Sequence, residues 1–275
     1  MPSDPPPASD GRTSHRRDAG HAVVVTGAAG GIGLAIVRRL LADGWAVVAT
    51  DLDAAALTGV AHDLGRPPAL ASHPMDVTNR ASVNAVAAAL RAAGTMVAGL
   101  VNVAGLLQDV FAFLEMDDAR QRRIWDVNYF GAVTCTQVFA AMMIEAGGGA
   151  IVNITSINEH RPLPLFAYAP TKVALGTLTA LTAGEFGRHG IRVNAIAPGF
   201  TLTPIMQEKI RSGARDISVI AAHTAMGRLL ETSEIASVAS FLLSDDASAV
   251  SGASIAVDAG WEATSHWMNF RALAR

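Results

Sequence analysis

Two side chains four residues apart carry the clearest chemistry in this chain. Tyr168 and Lys172 open a long helix-like stretch, and that spacing places both on one face of a helix. A phenol with an ordinary pKa near 10 is a poor base at neutral pH, but a neighbouring ammonium stabilises its phenolate. Such a pair can take a proton from a hydroxyl and return it. Singly, each has an innocent reading: a tyrosine on an amphipathic face, a lysine snorkelling its charge to water. Pro170 between them marks the start of the helix, since proline is tolerated in a first turn and damaging further in.

A second cluster binds rather than reacts. The strand-like residues 21–26 run into Thr26-Gly27-Ala28-Ala29-Gly30-Gly31-Ile32-Gly33, and a helical pattern follows over 34–41. Glycines allow a tight turn and close backbone approach to a pyrophosphate, while a helix amino terminus supplies free N–H groups and a positive dipole end. The Lys-Ser/Thr pair of a nucleoside-triphosphate loop is missing, so a dinucleotide is the expected ligand. Asp51 ends the second strand eighteen residues after Gly33, near the distance at which an acid accepts hydrogen bonds from the adenosine ribose and repels a 2′-phosphate. With no Arg or Lys at 28–30, NAD is expected over NADP. The competing reading makes Asp51 a cap for the next helix together with Asp53.

The loop departs from G-x-G-x-x-G, because Ala29 stands at its second glycine. Gly27, Gly31 and Gly33 instead match T-G-x-x-x-G-x-G. With Y-x-x-x-K downstream, the chain resembles the short-chain dehydrogenase/reductase family from His21 to Trp261. That resemblance implies an NAD(H)-dependent oxidoreductase that moves a hydride between nicotinamide and an alcohol or ketone carbon. An oxidised nicotinamide beside Tyr168 adds to the effect of Lys172, so the phenol is expected to titrate below its ordinary value.

The family pattern assigns further roles. Ser156, ending Ile151-Val152-Asn153-Ile154-Thr155-Ser156, would hydrogen-bond the substrate oxygen and stabilise the charge developing on it. The stretch from Ser156 to Tyr168 is one residue shorter than the family usually has, which keeps Thr155 in reserve. Asn128, in Trp125-Asp126-Val127-Asn128, would hold a water beside the lysine. Cofactor contacts are expected at Gly27, Gly31, Ile32, Gly33, Asp51, Tyr168 and Lys172, and at Asp76 and Val77 beside the adenine. Asp76 can equally cap the helix that follows it. Asn102, Ala104 and Gly105 would bracket the adenosine; Val103 departs from the family's asparagine there, implying local repacking. Backbone groups around Pro198, Gly199 and Thr203 would hold the nicotinamide carboxamide.

Substrate identity is less legible. The polar loop 157–166 must border the pocket, and it is similar to the loop of family members that oxidise sugars and polyols. Asn158 and Glu159 therefore join Ser156 and Tyr168 as expected substrate contacts. Alternatively, Glu159 and Arg161 form a surface ion pair and His160 is solvated. Eight histidines without metal-ligand spacing give no expectation of a metal. A 3-oxoacyl-type or other carbonyl reductase is the second reading, weakened by Asp51. A non-catalytic NAD-sensing regulator is the third, weakened by the intact Ser156, Tyr168, Lys172 and Asn128.

These residues need a scaffold that brings them together. Aliphatic runs at 21–26, 45–51, 70–75, 97–101, 150–155, 191–196 and 254–257 alternate with Ala-rich amphipathic stretches. Buried strands alternating with helices imply a parallel sheet covered on both faces. The expected architecture is a doubly wound α/β Rossmann fold of about seven strands, one domain over 21–275. The longest irregular piece, 200–227, follows the sixth strand at its carboxyl end, where such sheets bind ligands.

Composition fits this picture. A chain of 275 residues, 51% apolar and 16% charged with a net charge of -3, can bury one large core. Without a basic block it gives no footprint for nucleic acid or an anionic membrane surface, and no run of about eighteen apolar residues suggests a membrane-spanning helix. A small molecule is the expected partner. Cys135 is the only cysteine, so an intrachain disulfide is excluded and a cytoplasmic location is expected. Residues 1–20 read as a poorly ordered tail. Trp261, Trp267, Met268 and Phe270, in the tail 261–275, need a surface to cover, either a pocket wall or a neighbouring subunit. Family members commonly form dimers or tetramers through the helix containing Asn128, the helix opening at Tyr168 and the last strand, so a homodimer or homotetramer is expected.

Overall fold

The computed structural model describes residues 21–108, 112–213 and 217–264. The tail 1–20 and Trp267, Met268 and Phe270 lie outside these. Seven strands form one sheet: β1 (His21–Thr26), β2 (Ala46–Asp51), β3 (Leu70–Pro74), β4 (Met96–Asn102), β5 (Gly149–Ile154), β6 (Ile191–Pro198) and β7 (Ser254–Val257). Each starts and stops within two residues of its expected place. Every pairing is parallel, in the order β3-β2-β1-β4-β5-β6-β7. The order reverses direction between β1 and β4, which opens a crevice at their carboxyl ends.

The helices between them are α1 (Gly31–Ala42), α2 (Ala54–Asp63), α3 (Arg80–Ala92), α4 (Asp118–Trp125), α5 (Ala132–Glu145), α6 (Tyr168–Phe186), α7 (Pro204–Arg211), α8 (Ser218–Ala222), α9 (Thr232–Leu243) and α10 (Trp261–Thr264). Strand residues alternate between two cores, as a side-chain period of two requires. From β1, Val23 and Val25 pack with Ile36 and Leu40 of α1 and Leu242 of α9. Ala22 and Val24 pack on the other face with Val83 of α3 and Phe139 and Met143 of α5. The α4–α5 helix is apolar because it is a core helix, with 56% of its most apolar window buried.

Residues 200–227 are less irregular than the sequence suggests. Proline at the first position of α7 and the Thr203 cap start one helix there, and α8 is a second. Between α4 and α5 the helix widens into a π turn over Asp126–Gly131, a deviation that often marks functional sites.

Candidate active site

Parallel strands deliver the chemistry to one edge. Ser156 follows the end of β5, and α6 begins at Tyr168, so the two hydroxyls meet and hydrogen-bond. Lys172 lies one turn along α6, buried, with Nζ donating to the Ile154 carbonyl at 2.8 Å and 5.6 Å from the centre of the Tyr168 ring. Burial pulls its ammonium down to about 8, while the Glu159 carboxylate acts to raise it. Burial likewise pushes the Tyr168 phenol up to about 12, against the lowering effect of Ser156. In the chain alone, then, the phenol moves opposite to the expected direction. Desolvation outweighs an ammonium that is aimed at a backbone carbonyl.

Asn128 sits on the π turn, fully buried. Its Oδ1 accepts from Leu106 N–H at 2.7 Å, and its Nδ2 donates to the Leu106 carbonyl at 3.0 Å and to Thr171 Oγ1 at 3.3 Å. It thereby ties the loop after β4 to α6. Gly105 lies between Asn128 and Lys172: a Cβ there would stand 3.4 Å from Asn128 Oδ1 and 3.7 Å from Lys172 Nζ. Thr155 is no substitute for Ser156, since its hydroxyl donates to the Ile196 carbonyl at 2.9 Å.

The crevice between β1 and β4 fits a dinucleotide. Gly27 has φ +64°, and a Cβ on it would lie 2.9 Å from Ala104 Cα; one on Gly33 would overlap the Gly27 carbonyl. No larger residue fits the loop at either position. Gly30 caps α1 without a side-chain bond, no acid stands in the first turn, and Ile32 there packs on the core. Free N–H groups thus face outward with a positive dipole end. The Asp51 carboxylate accepts from Ala29 N–H at 3.0 Å, at the rim where the ribose would lie. Asp53 alone caps α2, accepting from Ala55 and Ala56 N–H at 3.0 and 2.9 Å, which separates the two roles the sequence left open.

The remaining cofactor candidates lie at or after the carboxyl ends of β3, β4 and β6. Asp76 accepts from the Thr78 hydroxyl at 2.7 Å and amide at 2.9 Å, and that hydroxyl holds its carboxyl below the ordinary range. The cap of α3 is Asn79, not Asp76. Val77 is buried against the α3–α5 core. Asn102 Nδ2 donates to Asn153 Oδ1 at 2.8 Å and Thr136 Oγ1 at 3.1 Å, a tie across the sheet. Val103 packs on the α1 core. Gly199 N–H donates to the Val257 carbonyl at 2.8 Å just beyond Pro198. Thr203 lies against the glycine loop, its methyl 3.6 Å from where a Gly31 Cβ would be.

The two substrate candidates of the 157–166 loop are engaged with the protein instead. Asn158 is buried; its Nδ2 and N–H donate to Ser156 Oγ at 3.0 and 3.2 Å, and its Oδ1 accepts from Leu163 N–H at 2.9 Å. With its oxygen accepting two bonds, Ser156 has its one hydrogen left to donate, to Tyr168 in the chain alone or to a reacting oxygen in its place. Asn158 is a positioning residue. Glu159 turns back beneath the loop to fill the space over Gly176, where any Cβ would collide with it, and accepts from Ser254 Oγ at 2.9 Å. The His160 ring lies beside it, Nε2 3.6 Å from Glu159 Oε1, and His160 Nδ1 in turn meets Glu262 Oε1 at 2.8 Å. In place of the alternative pair with Arg161, Glu159 joins this cluster.

With this geometry in hand, likeness to known proteins carries weight. A family profile described as enoyl-(acyl carrier protein) reductase matches residues 27–262. Galactitol 2-dehydrogenase (L-tagatose-forming) of Cereibacter sphaeroides is 40% identical over 255 residues, 92% of this chain and 98% of that one. The chain belongs to the short-chain dehydrogenase/reductase family. It is an oxidoreductase with a nicotinamide cofactor. Galactitol 2-dehydrogenase of Rhizobium johnstonii is 36% identical, covering 88% of this chain and 95% of its own. Among solved structures, ElxO with NADP bound superimposes with a TM-score of 0.85 at 27% identity, covering 89% of this chain and all of that one.

In this short-chain dehydrogenase/reductase, two residues join the site that motif reading missed. Thr26 Oγ1 accepts from Val103 and Ala104 N–H at 3.0 and 3.1 Å, stitching the glycine loop to the end of β4. Its place at the head of the loop motif was the available signal. Gln108 Oε1 accepts from Ala167 and Tyr168 N–H at 2.6 and 3.0 Å. Nothing in the sequence singles it out, since its partners lie about sixty residues away.

Proposed function

We propose that this chain is an NAD-preferring dehydrogenase of a polyol, sugar or other secondary alcohol, a cytoplasmic homodimer or homotetramer. The observation that carries the reaction is the Ser156–Tyr168 hydroxyl pair with Lys172 buried behind it. Ser156, oriented by Asn158, donates to the substrate oxygen; Tyr168 takes the hydroxyl proton; Lys172 favours the phenolate that receives it. In reduction Tyr168 returns the proton. A bound nicotinamide supplies the hydride acceptor, with the glycine loop and the first turn of α1 holding its diphosphate. Asp51 supports NAD, because its carboxylate at the rim of the loop would repel a 2′-phosphate. The polyol reading rests on the two galactitol 2-dehydrogenase relatives. Exposed Phe130, Val173 and Leu181 on the α4–α5 and α6 helices support association, which sedimentation equilibrium measures.

The test is NADH formation from galactitol, other polyols and cyclic alcohols, with NAD and NADP titrated side by side. Turnover of a polyol with tighter NAD binding is expected, and Asp51→Ala should narrow the gap between the two cofactors. Tighter NADP binding by the unmodified chain would refute the cofactor assignment. Turnover of cyclic alcohols but no polyol would refute the polyol reading and leave the broader secondary-alcohol one.

A further inference from the structure

A charge inside a fold is costly unless an opposite charge answers it. Lys172 is 4% exposed, and the carbonyl of Ile154 that its ammonium bonds at 2.8 Å carries no charge. The carboxylate that acts on it is Glu159, which closes the short turn after Ser156.

The place of that carboxylate is written on α6. Tyr168, Lys172 and Gly176 are spaced by four, so they share one face, with 176 a turn beyond the lysine. Glu159 fills the space that a side chain at 176 would take, since a Cβ on Gly176 would collide with its carboxyl group. Glycine inside a helix of 19 residues is otherwise a poor choice beside alanine. The Glu159 side chain is 13% exposed. Ser254 Oγ of β7 donates to its Oε2 at 2.9 Å, and His160 Nε2 lies 3.6 Å from its Oε1.

We propose that Glu159 is a positioning residue: seated over Gly176, its carboxylate holds the Lys172 ammonium charged inside the fold, ready to stabilise the Tyr168 phenolate. The inference rests on the reading of Tyr168 and Lys172 as the reacting pair, and it adds what keeps the lysine ionised. A neutral amine there would leave the phenolate without its cation. The titratable groups that face the pair are Tyr168 on α6, His160 in the loop and, through His160, Glu262 on α10. Burial holds the Tyr168 phenol up at about 12, so it stays protonated while the lysine titrates.

The chain has two lysines, Lys172 and Lys209, so a Lys209→Arg background labelled at lysine Cε gives one NMR signal that reports Lys172. Its titration midpoint should lie near 8. Glu159→Gln keeps the shape and an acceptor for Ser254 Oγ but loses the charge, and the midpoint should fall by about one pH unit. Gly176→Ala favours the helix, pushes the carboxylate aside and should lower the midpoint too; it decides the matter where the Gln variant does not fold. With an alcohol substrate, the pH at which kcat/KM declines on the alkaline side should move down with the midpoint, whereas lost packing alone would lower the rate alike at every pH. A midpoint that falls by less than about half a pH unit, or rises, would overturn the proposal. So would a rate profile that stays in place while the midpoint moves. Were no alcohol oxidised, the dehydrogenase reading would fail, and the Lys172 midpoint would still decide whether Glu159 holds the charge.

Discussion

Without a cofactor beside it, the Tyr168 phenol is held protonated, since burial raises it to about 12 and only the Ser156 hydrogen bond pulls it back. A cationic ring packed against it should reverse that balance. The chain has two tyrosines, so a Tyr129→Phe background leaves Tyr168 alone in a spectrophotometric titration. Its midpoint should lie near 12 in the free protein and fall when NAD saturates the site; a midpoint unmoved by NAD would break the link between cofactor and acid/base. Tyr168→Phe removes one hydroxyl and keeps the ring. Turnover should drop on the order of a hundred- to ten-thousand-fold while NAD binding, followed by fluorescence, survives. Near-full activity would exclude Tyr168 as the proton carrier.

Elements position these groups through a small number of side-chain ties. Thr26, at the end of β1, accepts from two backbone amides after β4, and Asn128 on the π turn holds Leu106. Strand ends were legible because aliphatic runs stop where glycine and polar residues begin. The π turn and the helices α7 and α8 were not, since neither leaves a periodic signature in so few residues. Thr26→Val keeps the shape and deletes the acceptor, which strands two N–H groups. Each costs about 1–3 kcal/mol when left unmade. The urea midpoint should fall accordingly and cofactor affinity with it; an unchanged midpoint would show that water replaces the hydroxyl.

At the scale of the molecule, a charged lysine inside the fold is a burden on stability that the proposed reaction would require. The folded pKa of Lys172 lies near 8, below its ordinary 10.5. Between those values the unfolded chain binds more protons than the folded one, so stability rises with pH there. Below pH 8 both states are protonated, and the folded state carries the full penalty of roughly 3 kcal/mol at 1.4 kcal/mol per pH unit. Lys172→Met removes that penalty and the bond to the Ile154 carbonyl, worth about 1 kcal/mol. The inactive variant should therefore melt higher than the native chain below pH 8, with the advantage fading toward 10.5. A variant that melts lower at pH 7 would mean that the lysine is stabilising where it lies.

The sequence alone determined the sheet and pointed to the candidate reacting groups. Both are encoded locally: strand and helix periods recur within a few residues, and T-G-x-x-x-G-x-G and Y-x-x-x-K are read within single segments. The same local logic did not show the contacts that Asn158 and Glu159 make within the protein. Their place in a polar loop beside Ser156 suggested substrate, but only the packed structure decides where a side chain turns. Asn158 folds onto Ser156, and Glu159 reaches under the loop because Gly176, far along the chain, leaves room for it. Gln108 is the converse case, silent in sequence and given its role by amides some sixty residues away. Contacts across the fold depend on crossovers and helix placement, which no local pattern carries, and they decided which polar residues are tied to one another within the protein.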